Sequence, residues 1–468
     1  MLRLSFKKDN PVDFFGFGSK PVIRWIKGDG LDDEVTRAAI AHATRLFGEE
    51  VDYCLLTQGI SSERARSVLS WAAQPVEWRE ISASDNKLLS KKLFEAGCLE
   101  ENFGYWWKWF PERVRPGAPE WILDGDMVIT KKPKWFESWK YGVDQLRVSQ
   151  TNEIAGVDKI YGRYESLVDV KLRLYSGLIS LPPNLGYMKK FNQIFKTIPL
   201  QVPHNGKVDM CEQGVVAAAF QDLNPVPIPL HEFPFGRAFE ANLDFGGEAP
   251  NSSYWGKHFG HAFRMRNEHF HRSLDSGEID SLKDPTPLQK SRWLSGGKGQ
   301  WGVAGWGISE ESLEIVLQAI GDFSGKEILE IGTSRGRFAL LLTELGGVVT
   351  TVDNFDRGAR KNLQGLNIKV VTSSGYKYLK ENSLLFDTVV VDLHGNSDKT
   401  WEMLWPQIAK SLKSGGKVII NNIYLERIDN WKEETGVRKL AERLKASSAW
   451  QVNIFEDPVP GLLVLVKK

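Results

Sequence analysis

The sequence predicts an α/β protein of two domains, and three observations support this prediction. Its 468 residues exceed what one hydrophobic core usually spans. Short apolar stretches typical of strands alternate with amphipathic helical stretches in both halves of the chain. A segment of poor periodicity, rich in glycine near its end, separates the two halves. We therefore expect a first domain over residues 1–271, a connector over 272–308 and a second domain over 309–468.

The composition excludes several classes of protein. Sixty Lys and Arg nearly balance 59 Asp and Glu, so the basic excess typical of nucleic-acid-binding proteins is absent. Three widely spaced cysteines predict a reducing compartment and neither a disulfide framework nor structural zinc. No apolar run reaches the roughly 18–20 residues that cross a bilayer, and residues 1–10 lack the apolar core of a secretory signal. We expect a cytoplasmic globular protein that binds no nucleic acid.

The first domain begins with alternating strands and helices. The stretches PVIRWI (21–26) and DYCLLTQG (52–59) predict two strands, with a helix over 32–48 between them. A second helix over 63–73 leads to a third strand over 75–81. This pattern predicts the nucleotide-binding half of a Rossmann-like domain.

Two acids follow the next apolar stretch of this domain. Asp124 and Asp126 flank Gly125 between WIL and MVI. Burying carboxylates among apolar neighbours is costly unless they have partners. Two carboxylates at positions i and i+2 can ligate one divalent cation, and such a cation can neutralise a nucleotide diphosphate. A surface turn or a capping site is the alternative interpretation.

This segment resembles the DxD motif of GT-A-fold glycosyltransferases, in a pattern-level match over about 15–265. The resemblance implies Mn²⁺ or Mg²⁺ bound by Asp124, Asp126 and a downstream histidine, for which His258 is preferred to His261. The donor would contact seven residues: Lys108, Asp124, Asp126, Ser176, Gly177, Lys257 and Arg264. A histidine that ligates nothing is the alternative for His258.

A catalytic base of the first domain depends on the stereochemistry of the reaction. The segment DMCEQGVVAAAF (209–220) resembles an acidic helix start that faces the acceptor. Asp209 or Glu212 would act as the base if the enzyme inverts the anomeric centre, whereas a retaining enzyme needs no such base. The aromatic residues over 105–110 are expected to pack in the core rather than form a sugar platform.

The second domain begins with a helix and continues as a parallel sheet. Ser309 is expected to cap a helix that Gly321 ends. Apolar strands then alternate with helices, and two final strands form an antiparallel edge hairpin. The seven predicted strands cover 327–331, 347–355, 367–374, 384–395, 412–422, 450–457 and 461–468.

The first strand of this sheet runs directly into a glycine-containing turn. Gly332 and Gly336 allow a tight turn and close approach of a ligand to the backbone. Asp353 ends the second strand, where an acid can accept hydrogen bonds from both ribose hydroxyls of a nucleoside. Asp392 ends the fourth strand.

These motifs, in their order along the chain, resemble those of a class I S-adenosylmethionine-dependent methyltransferase, and the resemblance covers residues 326–468. Asp392 and His394 would face the methyl acceptor, and a neutral His394 could remove a hydroxyl proton. A solvated loop histidine is the alternative. Asn421 and Asn422 stand where similar metal-dependent O-methyltransferases have an acid, so no metal is expected here. The resemblance implies six cofactor-binding residues: Glu330, Gly332, Gly336, Asp353, Ser373 and Ser374.

Together the two resemblances imply a bifunctional transferase. The first domain would transfer a sugar from a nucleotide-sugar donor to a glycan acceptor, and the second would methylate a hydroxyl of the same glycan. Surface polysaccharide biosynthesis would be the setting. Two alternatives stay open: a methyltransferase whose first domain only binds sugar, and a non-enzymatic recognition or scaffold protein.

Overall fold

The computed structural model describes residues 20–30, 32–151, 160–200, 211–234, 254–259, 270–277, 279–295, 308–393, 397–424, 436–458 and 460–468. The chain divides into two compact units between Asp284 and Pro285, inside the segment that the sequence assigns to a connector. Within the described residues, each unit contains a seven-stranded sheet. The α/β fold class predicted from the sequence is confirmed. Among these residues, no helix has both the length and the apolar character that a membrane span needs.

The first unit is built on a mixed sheet. Its described strands are β1 (Val22–Lys27), β2 (Asp52–Thr57), β3 (Glu77–Glu80), β4 (Glu120–Asp124), β5 (Met127–Ile129), β6 (Arg147–Gln150), β7 (Leu174–Leu181), β8 (Val226–Ile228) and β9 (Gly256–His258). The main sheet has the order β3-β2-β1-β4-β7-β6-β8, and β5 pairs separately with β9. Strands β1 to β4 are parallel, whereas β7 is antiparallel to β4 and β6. The strands predicted at 21–26, 52–59 and 75–81 are confirmed.

The helices of the first unit include α1 (Asp33–Phe47), α2 (Ser62–Leu69), α3 (Lys87–Glu95), α4 (Phe136–Lys140), α5 (Met188–Thr197) and α6 (Cys211–Gln221). Helix α1 begins where the Asp32 side chain accepts a hydrogen bond from the Glu34 backbone, with two acids in the first turn. The core is rich in aromatic rings. Trp106, Trp107, Trp109 and Phe110 are buried, as predicted, whereas Tyr105 is 61% exposed.

The second unit has a parallel sheet with an antiparallel edge. Its strands are β10 (Glu327–Ile331), β11 (Val348–Asp353), β12 (Ile368–Thr372), β13 (Phe386–Val391), β14 (Leu412–Asn421), β15 (Trp450–Phe455) and β16 (Leu462–Lys467). Their order is β12-β11-β10-β13-β14-β16-β15. Strands β10 to β14 are parallel, and β16 is antiparallel to both β14 and β15. The predicted parallel strands and edge hairpin are confirmed.

Seven helices are described in this unit: α7 (Pro287–Arg292), α8 (Glu310–Ile320), α9 (Arg337–Glu344), α10 (Ala359–Asn362), α11 (Gly375–Glu381), α12 (Asp398–Lys410) and α13 (Gly436–Lys445). The Ser309 cap and the end of α8 at Gly321 are confirmed. Helix α7 lies inside the predicted connector, and the sequence carries a signal for it that the prediction missed. Thr286 and Gln289 form a capping box around Pro287, the first residue of the helix.

Candidate functional sites

The two acids of the first unit lie where the chain passes from β4 to β5. Asp124 is the last residue of β4, and Asp126 precedes β5, which pairs with β9 so that Met127 lies opposite His258. His258 Nε2 is 3.0 Å from Asp126 Oδ1. Asp124 and Asp126 each offer a carboxylate oxygen and His258 offers an imidazole nitrogen, and these three possible metal ligands all lie within 4.8 Å of one another. Two carboxylates and an imidazole fit a divalent metal ion, and of these donors the imidazole suits a transition metal.

The topology gives this cluster a favourable place for ligand binding. The sheet order reverses between β1 and β4, because β2 and β3 follow on one side of β1 while β4 lies on the other. In open α/β sheets, ligands bind at the carboxyl ends of strands beside such a switch point. Asp124, at the carboxyl end of β4, is paired in register with Ile26 of β1.

Lys108 completes the cluster from a neighbouring segment. It lies on the 3₁₀ turn Gly104–Trp109 and is 4% exposed. Its ammonium is 2.6 Å from Asp124 Oδ1 and donates hydrogen bonds to Ser176 O at 3.1 Å and Ser176 Oγ at 3.2 Å. Burial lowers the pKa of Lys108, but Asp124 and Glu212 outweigh it, so the pKa is raised. The predicted donor residues Lys108 and Ser176 thus contact one another, and Lys108 also contacts Asp124.

Glu212, a predicted base, belongs to the same buried cluster. Its Oε1 accepts a hydrogen bond from Trp109 Nε1 at 2.8 Å, and its Oε2 accepts one from Ser176 Oγ at 3.3 Å. Burial raises the pKa of Glu212, Lys108 opposes the shift and Asp124 adds to it. Burial also raises the pKa of Asp124 against the effect of Lys108. The role of Glu212 as a base stays a prediction.

Two other residues predicted to contact the nucleotide-sugar donor are Lys257 and Gly177. Lys257 lies next to His258 on β9, and adjacent side chains on a strand point to opposite faces. Lys257 Nζ is 3.0 Å from Ser273 Oγ. At Gly177, a Cβ would lie 2.4 Å from Met127 Cε and 2.8 Å from Tyr175 Cε1, so a side chain there would require these two neighbours to move. Asp209 and Arg264 lie outside the described residues, as does the alternative ligand His261.

The predicted cofactor turn of the second unit requires its glycines. Gly332 has φ +108° and Gly336 has φ +92°, and Ser334 between them also has a positive φ of 49°. A Cβ on Gly332 would lie 2.0 Å from Asp392 O, and one on Gly336 would lie 2.7 Å from Leu363 Cδ1. The turn is therefore fixed both by backbone conformation and by close contact with the end of β13.

Asp353 joins this turn to the end of β11. Its Oδ2 accepts a hydrogen bond from Ser334 N at 3.0 Å, and its Oδ1 accepts one from Phe355 N at 3.2 Å. Ser373 N donates to Asp353 O at 2.8 Å. The Ser374 side chain caps α11 by accepting from Lys377 N at 3.1 Å. Both serines therefore follow β12 at the same sheet edge as Asp353.

Glu330 lies inside the sheet beneath the turn. It is paired in register with Thr351, whose hydroxyl donates to the carboxylate, and Thr351 Oγ1 is 2.5 Å from Thr333 Oγ1. Burial raises the pKa of Glu330 to about 8, with Asp392 and Asp353 adding to the shift and the Thr351 hydrogen bond opposing it. Glu330 therefore connects the glycine turn to β11 through two threonine hydroxyls.

Asp392 follows the end of β13 and accepts hydrogen bonds from two buried amide side chains at the end of the neighbouring strand β14. Its Oδ1 accepts hydrogen bonds from Asn421 Nδ2 at 3.0 Å and Asn422 Nδ2 at 2.9 Å. Asn421 is the last residue of β14, and Asn422 follows with φ +70°. The contact of these asparagines with Asp392 could not be predicted from the sequence, because it depends on the pairing of β13 with β14. His394 lies outside the described residues.

Solved structures similar to this chain include three methyltransferases. An O-methyltransferase from Bacillus cereus in complex with SAH has 20% identity and a TM-score of 0.32, covering 42% of this chain and 97% of that chain. An O-methyltransferase from Streptomyces achromogenes in complex with SAM has 17% identity and a TM-score of 0.32, covering 42% and 96%. An SAH-bound methyltransferase from Podospora anserina has 17% identity and a TM-score of 0.33, covering 45% and 99%. No protein-family model matches this chain, and no curated protein is significantly similar to it.

Proposed function

We propose that the second unit transfers a methyl group from S-adenosylmethionine to a hydroxyl group. The observation that carries this proposal is the meeting of Gly332, Asp353 and Asp392 at one sheet edge. Gly332 N donates to Val352 O at 2.8 Å, and Asp392 N donates to Ile331 O at 2.9 Å, so the ends of β10, β11 and β13 lie together. The sheet order reverses between β10 and β13, which is where ligands of such sheets bind.

The residues at this edge suit a nucleoside cofactor, whose sulfonium supplies an electrophilic methyl group when bound. The turn from Gly332 to Gly336 presents backbone close to the edge, because neither glycine has room for a side chain. The Asp353 carboxylate would accept hydrogen bonds from the ribose hydroxyls. Ser373 and Ser374 would lie beside the adenine. Glu330 would position the turn from below, without contacting the cofactor.

Asp392 is the described residue best suited to the acceptor side. Asn421 and Asn422 both donate to its Oδ1 and so hold the carboxyl group in place. A carboxylate at this position could take the proton of an acceptor hydroxyl while the bond between the methyl group and sulfur breaks and the new oxygen–carbon bond forms. His394, two residues further on, stays a second candidate base. Neither role requires a metal ion.

The test is thermal melting of the full chain with S-adenosylmethionine and its demethylated product. Each should raise the melting temperature, because a ligand that binds only the native state stabilises it. Asp353→Asn should greatly reduce this shift. The control is Asp387→Asn, near the amino end of β13 at the opposite sheet edge, which should keep it. A wild-type protein that responds to neither compound would contradict the proposal.

A second candidate function belongs to the first unit. It is binding of a divalent cation and a nucleotide-sugar, supported by the Asp124, Asp126 and His258 cluster beside the switch point. These three residues would hold Mn²⁺ or Mg²⁺, which would neutralise the diphosphate of the donor. In its fullest form the proposal is a bifunctional transferase that adds a sugar to a glycan and methylates the same glycan. A first unit that only binds sugar is the simpler alternative.

Nucleotide binding and donor hydrolysis separate these alternatives. Metal-dependent melting shifts with UDP, GDP or dTDP, together with release of the nucleotide diphosphate from a sugar donor, would support catalysis. Asp124→Ala and Asp126→Ala should abolish both. Binding without release from any common donor would support a sugar-binding module. A chain that binds neither nucleotide nor S-adenosylmethionine would be better described as a scaffold.

A further inference from the structure

The possible metal site of the first unit, formed by Asp124, Asp126 and His258, already has a cation beside it, the ammonium group of Lys108. Lys108 is buried and its ammonium lies 2.6 Å from Asp124 Oδ1, one of the three ligand-bearing residues. Two hydrogen bonds to Ser176 hold the ammonium from the other side. Ser176 is held in turn, because its N donates to Gln213 Oε1 at 2.8 Å and its Oγ to Glu212 Oε2 at 3.3 Å. The position of Lys108 is thus fixed by β7 and by the start of α6.

The charges in this cluster explain why a lysine is placed there. The carboxyl groups of Asp126 and Glu212 are buried and that of Asp124 is partly exposed, and like charges at short range repel one another. An ammonium against Asp124 offsets part of that repulsion in the absence of a metal. The same ammonium would repel a divalent ion bound by Asp124, Asp126 and His258, because two cations would then share one carboxylate.

We infer that Lys108 is the counter-ion of Asp124 and that a divalent metal ion competes with Lys108 for the Asp124 carboxylate. Metal binding would take the Asp124 carboxylate away from Lys108 while the bonds to Ser176 keep the ammonium at the site. The N–H released by Asp124 would then donate to a phosphate oxygen of the nucleotide. The inference rests on the proposed cation and nucleotide site, and it makes Lys108 the residue that couples the two ligands.

The probe is Mn²⁺ alone, with free Mn²⁺ measured by electron paramagnetic resonance during titration of the full chain. Lys108→Met should bind Mn²⁺ about tenfold or more tightly than the wild type, because a nearby positive charge is lost. Lys108→Arg keeps the charge and should bind Mn²⁺ no more tightly than the wild type. Asp126→Asn should bind Mn²⁺ more weakly in either background, which ties the signal to this cluster.

A second titration tests the coupling. Addition of Mn²⁺ should tighten UDP or GDP binding to the wild type, whereas in Lys108→Met the metal should bind well but give much less gain in nucleotide affinity. Lys108→Gln is the substitute if Lys108→Met does not fold, because glutamine is neutral but can still donate to Asp124. Its cooperative unfolding without metal is the folding control.

The outcomes distinguish two kinds of failure. If the wild type binds Mn²⁺ and the neutral variants bind it equally or more weakly, competition by Lys108 is refuted while the cation site stands. If neither the wild type nor any variant binds Mn²⁺, the cation site itself fails, and the inference with it. Binding by the neutral variants alone would support the inference in its strongest form.

Discussion

Glu330 is a buried acid whose ionisation should weaken the second unit. Its pKa is raised from 4.5 to about 8, so the folded chain keeps a proton that the unfolded chain releases. The stabilising contribution is complete below pH 4.5 and is lost as pH rises towards 8. We therefore expect the free energy of unfolding to fall in this window, by at most about 1.4 kcal/mol per pH unit from this group.

Substitution of Glu330 isolates its effect on stability. Glu330→Gln cannot ionise but can still accept the Thr351 hydrogen bond, so the decline between pH 5 and 8 should flatten. Thr351→Val removes a donor to the ionised form and should carry the decline to higher pH. Urea denaturation of the cofactor-free protein at several pH values measures both. A Glu330→Gln protein with the wild-type pH dependence would show that another group is responsible.

Sequence patterns predicted the local turn of the second unit but not the long-range contacts of Lys108. The spacing of Gly332, Gly336 and Asp353 predicted a turn and an acid at one sheet edge, because local sequence determines a strand-to-helix turn. The resemblance placed Lys108, Asp124 and Ser176 among the donor contacts, but the direct contacts of Lys108 with the other two were not predicted. Asp124 and Ser176 lie far from Lys108 in the chain, and only the packing of β4 and β7 beside the 3₁₀ turn brings them together.

Strand β4 is anchored at its start by a buried ion triad. Glu120 is fully buried, with Oε1 3.0 Å from Arg24 Nε of β1 and Oε2 3.2 Å from Arg113 Nε. Glu120→Gln would leave two buried guanidinium groups without their counter-charge. We expect a loss of about 3–5 kcal/mol in the free energy of unfolding of the first unit, measured by urea denaturation.

A half-buried ion pair on β3 provides the matched control for this substitution. Glu77 and Arg79 are 3.2 Å apart, and both side chains retain partial exposure. Because such pairs contribute little, Glu77→Gln should cost less than about 1 kcal/mol. Equal losses for the two substitutions would mean that burial of the Glu120 triad has no special effect on β4.

At the scale of elements, apolar periodicity predicted the strands well because their two-residue alternation or buried runs are local. It did not predict the pairing of β5 with β9. The pairing of β5 with β9 directs His258 towards Asp126, and the same alternation then directs Lys257 to Ser273. A contact of Lys257 with the donor stays a prediction. Helix α7 was missed although its capping box was present in the sequence.

The whole molecule holds two separate sets of candidate ligand contacts. Each unit has its own hydrophobic core of strand and helix residues. Each also has a cluster at the carboxyl edge of its sheet, beside the point where the strand order reverses. The nearly neutral net charge of +1 gives no general attraction for anions, so the phosphate binding proposed for the first unit would depend on individual groups such as Lys108.

This division predicts two distinct patterns of protection from amide hydrogen exchange. The demethylated cofactor product at about 100 times its dissociation constant should stabilise the native second unit by about 2.7 kcal/mol. Slower exchange should then centre on β10, β11 and β13, whose ends carry Gly332, Asp353 and Asp392. Mn²⁺ with a nucleotide diphosphate should instead slow exchange around β4, β5 and β9. Asp353→Asn should remove only the first pattern and Asp126→Asn only the second, whereas loss of both patterns in one variant would show that the two ligands do not occupy independent sites.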